Sequence, residues 1–231
     1  MRLFLSIYLL AQISFASTSG LFLDVDAMSD SYYVYDEPSF DKLRSYIDQK
    51  SKSTESYEVT SSILEVSKCF QIDATIFSSL IRKESSFNEK AVSPTGAAGL
   101  TQMTSIALKE IGDQLGIRGK SYADYRVTSY LKQQVTKCFG DVFLGDLIEI
   151  MSKHSKQIKE VLKKDIFLST ILGGILLKVT LSRRAGGEIK QVYKKSLEAY
   201  NGDVSIFKGE VMKVYYAKKI MSYAKELDLM I

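Results

Sequence analysis

The sequence predicts a mainly α-helical fold, and three observations carry that prediction. Apolar residues recur at helical spacing over most of the chain from Ser61 onward. Only 2 prolines and 14 glycines stand among 231 residues, too little turn material for a many-stranded β-sandwich. The Lys, Leu and Glu content favours helices. A 45% hydrophobic and 25% charged composition supplies a real core and excludes collagenous and disordered classes. One domain with an appendage is expected.

Residues 1–16 read as an export signal. Met1 and Arg2 start it, an apolar run from Leu3 to Phe15 follows, and Ser14-Phe15-Ala16 ends it with small residues at the cleavage positions. The run falls short of the roughly 20 residues a membrane span needs. No cysteine stands near the cut, so no lipid anchor is expected, and the mature chain is expected to be exported, periplasmic or secreted. An oxidising compartment makes a disulfide between Cys69 and Cys138 the expectation, with two separate buried thiols as the alternative.

Residues 17–58 hold nine acidic side chains against four basic ones, so the leader is acidic and the remainder basic although the whole chain carries only +4. The leader reads as an acidic N-terminal arm with a short helix over residues 41–50. A basic exported domain suits an anionic polymer such as peptidoglycan or a teichoic acid, and a solvated lysine surface explains the excess nearly as well. The small total charge gives no ground for a nucleic-acid partner.

Helical periodicity then places helices over residues 61–70, 74–84 with Asp73 as N-cap, 101–112, 128–139, 141–164, 166–181, 189–200 and 208–227. A loop rich in Ser, Pro, Gly and Ala occupies residues 88–99. The 166–181 segment is apolar all round, which marks a buried central helix, and Gly173-Gly174 within it predicts close helix approach. His154, the only histidine, falls in step with Leu147, Met151, Ile158 and Val161 and is expected to pack at a helix edge. One histidine and two cysteines exclude most zinc cages and iron–sulfur centres.

Glu84 breaks the pattern. Ile76, Phe77, Leu80 and Ile81 form the inward stripe of their helix, and the next step along it lands on this carboxylate. Burial would disfavour its charged form and raise its pKa, producing a general acid. A water-exposed pair with Arg82 or Lys83 at the helix end accounts for the position equally well on periodicity alone.

The residues after it decide between the two. Glu84-Ser85-Ser86-Phe87-Asn88, then Ala91, Ser93, Gly96-Ala97, Gly99-Leu100 and Gln102, resembles the E-S-x-F-N-x-x-A-x-S-x-x-G-A-x-G-L-x-Q signature of lytic transglycosylases, the SLT or goose-type-lysozyme-like family. Glu198-Ala199-Tyr200-Asn201-Gly202 resembles the family's A-A-Y-N-x-G, and Tyr216-Ala217-Lys218-Lys219-Ile220 its Y-V-x-K-I. The resemblance spans about residues 61–227. It implies a lysozyme-like helical domain, here residues 59–231 with an insert near 112–164, that cuts the β-1,4 bond between N-acetylmuramic acid and N-acetylglucosamine.

The resemblance further implies that Glu84 is the sole acid/base, that Ser93 helps hold substrate, and that Gln102, Tyr200, Asn201 and Tyr216 line the cleft. No metal or cofactor is required, the partner is the glycan strand, no stable membrane anchor is expected, and the chain is expected to act as a monomer. Three departures stand out. Thr101 replaces the usual Met before Gln102, which is expected to change the cleft lining there. The insert lengthens the chain before Tyr200 and is expected to form a lid or cleft wall. Ser93 and Thr104 stand where goose-type lysozymes tend to carry Asp, which favours a transglycosylase. Asp113 or Asp124 could supply a replacement base. Hydrolysis of the same bond, on an ordinary or de-N-acetylated wall, is the first alternative; a noncatalytic wall-binding module is the second.

Overall fold

A computed structural model describes residues 38–51, 55–117, 125–183, 188–200 and 206–230 of the chain, and among these described residues nine helices make up the regular structure. In chain order they are α1 (Phe40–Lys50), α2 (Ser56–Phe70), α3 (Ala74–Ser85), α4 (Ser105–Gln114), α5 (Tyr125–Met151), α6 (Ser155–Leu162), α7 (Ile166–Ser182), α8 (Ile189–Tyr200) and α9 (Ile206–Asp228). The described residues contain no strand, only two isolated bridges, Val92 with Ala98 and Ala98 with Met103, in the loop between α3 and α4. The mainly helical expectation therefore holds. Residues 1–16, expected to be an export signal, and residues 17–37 lie outside the described residues.

The core is built around α7. Sixteen of its seventeen residues are buried, so it has no polar face to orient it, and neighbours must cover it on every side. Even Lys178 is fully buried, its Nζ lying 5.9 Å from the centre of the Tyr130 ring on α5. Among the described residues no single helix is long and apolar enough to cross a membrane. Two glycines set how closely the neighbours approach. A Cβ at Gly174 would press on the Val66 side chain and sit 3.4 Å from Phe70 Cδ2, both on α2. A Cβ at Gly173 would come within 2.7 Å of Thr101 Cβ. The expected close approach at Gly173-Gly174 is thus present, and Thr101 is its other half.

The helix expected at the end of the acidic leader is present as α1, with Ser39 Oγ accepting from the Lys42 N–H at 3.3 Å. It buries Leu43, Tyr46 and Ile47 in the common core, so this part of the leader packs as an integral helix. Asp73 caps α3 as expected, its Oδ1 accepting from Ile76 N–H at 2.8 Å, while its own N–H donates to Tyr193 Oη on α8 at 2.6 Å. Helix α9 runs against both α3 and α8.

Within the insert, α5 changes direction at Gly140 (φ 86°, ψ 164°), where periodicity had separated two helices. Cys69 and Cys138 are joined, with Cα atoms 5.9 Å apart, tying α5 to α2. Phe139, Phe143 and Phe167 pack edge to face beside that bond, with centroids 5.1 Å apart for Phe139–Phe167 and 5.5 Å for Phe143–Phe167.

Three expectations are corrected here. The continuous helix over 141–164 is interrupted after Met151, and His154 is an exposed N-cap of α6, not a packing residue. Its Nδ1 accepts from Lys156 N–H at 3.3 Å and its own N–H donates to Gln157 Oε1 at 3.2 Å. The apolar period runs on across the break because Leu147, Met151 and Ile158 face the same core, which is why spacing alone missed it. The helix expected from residue 101 begins four residues later, because Gln102 takes a left-handed φ of 49° and Thr104 becomes the cap, its Oγ1 accepting from Ala107 N–H at 3.0 Å.

Candidate active site

Glu84 occupies the last turn of α3, and the chain leaves the helix abruptly behind it. Ser86 (φ 53°) and Phe87 (φ 61°) both take left-handed backbone angles, an unfavourable pair for residues with side chains. What holds them is the core: Phe87 is fully buried and meets the Tyr46 ring edge to face at 6.2 Å. The loop that follows is fastened on itself. Gln102 Nε2 donates to the carbonyl oxygens of Ala91 (3.0 Å) and Gly99 (2.9 Å), and Ser93 Oγ accepts from the Ala97 N–H (3.0 Å) and bonds the Thr95 hydroxyl (2.9 Å). The Ser93 and Gln102 polar groups thus build the loop that stands after Glu84.

The carboxylate of Glu84 is desolvated while the residue keeps partial access to solvent. Tyr216, on α9, donates its hydroxyl to Glu84 Oε1. Burial raises the Glu84 pKa, the hydrogen bond from Tyr216 and the charge of Lys83 lower it, and the net direction is upward. Tyr216 and Tyr200 are both held well above the ordinary tyrosine range, first by burial and then by the charge of Glu84, so both remain protonated donors. Tyr200 directs its hydroxyl to the Thr101 carbonyl at 3.3 Å.

Arg82, the alternative partner for Glu84, is engaged elsewhere. It donates to Glu226 Oε2 at 2.7 Å and to the Tyr46 hydroxyl, and stacks 3.8 Å over the Tyr223 ring. Lys50 reaches Glu226 Oε1 at 2.6 Å, so α1, α3 and α9 meet in one ionic junction. Lys83 lies over the Tyr216 ring at 5.6 Å. The reading of Glu84 as a water-exposed partner of Arg82 or Lys83 is therefore replaced by a desolvated carboxylate bonded to a phenol, on which Lys83 acts only through its charge.

The fold brings Glu84, Tyr216 and Tyr200 together and places Ser93 and Gln102 on the adjoining loop; Asn201 lies outside the described residues. Thr101 was expected to alter the cleft lining. It is instead fully buried, its hydroxyl donating to the Ser169 carbonyl at 2.8 Å and its own carbonyl anchoring Tyr200. This anchoring role, and the junction at Arg82, had no signature in residue spacing. Of the candidate replacement bases, Asp113 is a buried residue near the end of α4 and Asp124 lies outside the described residues. Among the described residues no group of three His, Cys, Asp or Glu could hold a metal ion.

At the end of one helix, then, a desolvated glutamate accepts from the buried Tyr216, with the partly buried Tyr200 close by. Residues 61–138 match the family model described as the transglycosylase SLT domain, so the resemblance carried by the motif around Glu84 is found independently. The matched segment contains Glu84, Ser93, Gln102 and both cysteines, whereas Tyr200 and Tyr216 lie beyond it. Comparison with curated proteins and with solved structures returned no match.

Proposed function

We propose that this protein cleaves the β-1,4 bond between N-acetylmuramic acid and N-acetylglucosamine in peptidoglycan glycan strands, with Glu84 as the single acid/base and 1,6-anhydromuropeptides as products. The observation that carries the reading is the desolvated Glu84 carboxyl, raised in pKa yet tethered by the Tyr216 hydroxyl. In its neutral form Glu84 protonates the glycosidic oxygen, and the N-acetylglucosamine side departs with a free hydroxyl. The muramic C1 is left electron-deficient. The Glu84 carboxylate then takes the proton from the muramic C6 hydroxyl as that oxygen bonds to C1, which closes the anhydro ring and returns Glu84 to its starting form.

Tyr216 supports the middle of this cycle, because a phenol donating to Oε1 favours the carboxylate just when Glu84 has given up its proton. Ser93, Gln102, Tyr200 and Asn201 line the substrate cleft in this reading. Residues 59–231 form the catalytic domain and residues 17–58 its acidic arm, exported by the signal at residues 1–16; the Cys69–Cys138 bond is in keeping with an oxidising compartment.

The C6 hydroxyl is held next to the reacting carbon and needs no separate binding entropy, which favours it over water. Digestion of purified sacculi in oxygen-18 water tests the outcome. Unlabelled 1,6-anhydro ends support the proposal, label at the new muramic C1 would make the protein a hydrolase, and intact strands would leave a noncatalytic wall-binding module.

A further inference from the structure

Tyr46, on α1, touches the chain on both sides of Glu84. Its hydroxyl accepts from Arg82 Nη1, two residues before the carboxylate, and its ring meets that of Phe87, three residues after it, edge to face at 6.2 Å. The same hydroxyl donates to the Tyr223 carbonyl on α9 at 3.3 Å. Tyr46 is fully buried, so these contacts are made away from solvent.

Helix α9 grips the same end of α3 at two points. Tyr216 and Tyr223 stand seven residues apart, which is two turns along one face. Tyr216 donates to Glu84, while Arg82 lies 3.8 Å over the Tyr223 ring and donates to Glu226 Oε2 at 2.7 Å. Lys50 of α1 closes the junction on Glu226 Oε1 at 2.6 Å. A helix held at one point can pivot about it, whereas two anchors fix both the rotation and the position of α9 against α3.

An exposed ion pair would do little of this, because solvent screens it and its side chains wander. Arg82 is only 16% exposed, and its guanidinium lies against the Tyr46 and Tyr223 rings. Lys50 and then Arg82 hold Glu226 below the ordinary carboxylate range, whereas burial raises Glu84, so the junction stays ionised while Glu84 changes protonation. Among the described residues, the titratable groups that bear on Glu84 are Tyr216 on α9, Lys83 on its own helix and Tyr200 on α8.

Resting on the acid/base reading of Glu84, we propose that Tyr46, Arg82 and Glu226 are positioning residues that hold the Tyr216 hydroxyl on the Glu84 carboxylate, which makes the helix at the end of the acidic leader a support of the active site. Loss of the junction lets Tyr216 turn away from Glu84, and the carboxylate loses the donor that favours it. The Glu84 pKa then rises. The direct effect of charge runs the other way in Glu226→Gln, because removing a negative charge makes the ionised form of Glu84 easier to reach.

The test follows the Glu84 carboxyl by carbon-13 NMR in the full chain, its signal assigned by its absence from Glu84→Gln. Titrations compare the wild type with Glu226→Gln, which alters a half-exposed side chain, with Tyr46→Phe, which changes no charge, and with each of these added to Tyr216→Phe. Both single variants should raise the Glu84 pKa, and neither should raise it further once Tyr216 is Phe. A fall in Glu226→Gln would overturn the proposal in favour of charge acting through space. No change in either variant, or a rise that persists without the Tyr216 hydroxyl, would overturn it as well. On sacculi both variants should lower kcat about tenfold with KM unchanged, and Glu226→Asp should recover part of the loss. A control, Glu149→Gln, breaks an exposed pair with Lys153 on the insert and should match the wild type; an equal loss there would overturn the proposal as general charge. Titrations that behave as expected in a protein that digests no sacculi would support the positioning of Glu84 and count against the glycan-cleaving reading alone.

Discussion

Tyr216 donates its hydroxyl to Glu84 Oε1 across 132 positions of sequence, joining α9 to the end of α3. Burial pushes the carboxyl toward its neutral form, and this bond supports the ionised one, so the two influences oppose each other at a single group, as the proposed acid/base role requires. Replacing Glu84 by Gln keeps the size and the acceptor for Tyr216 while removing the proton donor. Glu84→Gln should lower the rate of sacculus digestion by ~100-fold or more with circular dichroism unchanged. Wild-type rates in that variant would remove Glu84 from the mechanism.

Tyr216→Phe removes the donor that favours the carboxylate, so the Glu84 pKa should rise further. The general acid acts in its neutral form, and the alkaline limb of kcat/KM should accordingly move to higher pH in the variant. A pH–rate profile checks the direction; a shift toward lower pH would contradict the assigned cause.

Glu84 also bears on stability. Its folded-state pKa lies above the unfolded value, so the folded state holds the proton more tightly, and stability falls as pH rises from the unfolded pKa through the folded one. Glu84→Gln abolishes that loss. Thermal melts should show the variant gaining on the wild type as pH increases from about 4 toward neutral, with the smallest difference in acid.

The disulfide closes a segment with a sequence separation of 69. Chain entropy alone makes that worth about 4 kcal/mol. Cys69→Ser/Cys138→Ser should lose stability of this order in urea, and peptide mapping of the native protein without reductant should recover the two cysteines as one linked pair. Recovery of both as free thiols would dismiss the bond.

At Gly173 the helix backbone leaves no space for a methyl group, with Thr101 Cβ 2.7 Å from where it would stand. Gly173→Ala should cost ~1–3 kcal/mol by overpacking, and it should also lower activity because Thr101 carries the carbonyl that anchors Tyr200. Denaturation midpoints and digestion rates measured together check both parts.

The sequence by itself determined the helices whose apolar period and caps agree. Asp73 opens α3 and Gly140 bends α5 because a carboxylate cap and a left-handed glycine are properties of a few adjacent residues. It also determined the all-apolar α7 and the motif that singles out Glu84. Tertiary structure decided what those residues meet. The break before His154 is hidden in the sequence because the helices on either side bury the same stripe. Glu84 could have paired in water with Arg82, two residues away; the fold instead gives Arg82 to Glu226, and Glu84 to Tyr216, from a helix more than a hundred residues on. Thr101 reads as a cleft substitution in one dimension and is a packing residue in three, since only the approach of α7 at Gly173 shows which way it faces. Periodicity and capping are written in neighbouring residues, whereas hydrogen-bond partners and desolvation depend on elements that the chain brings together only when it folds.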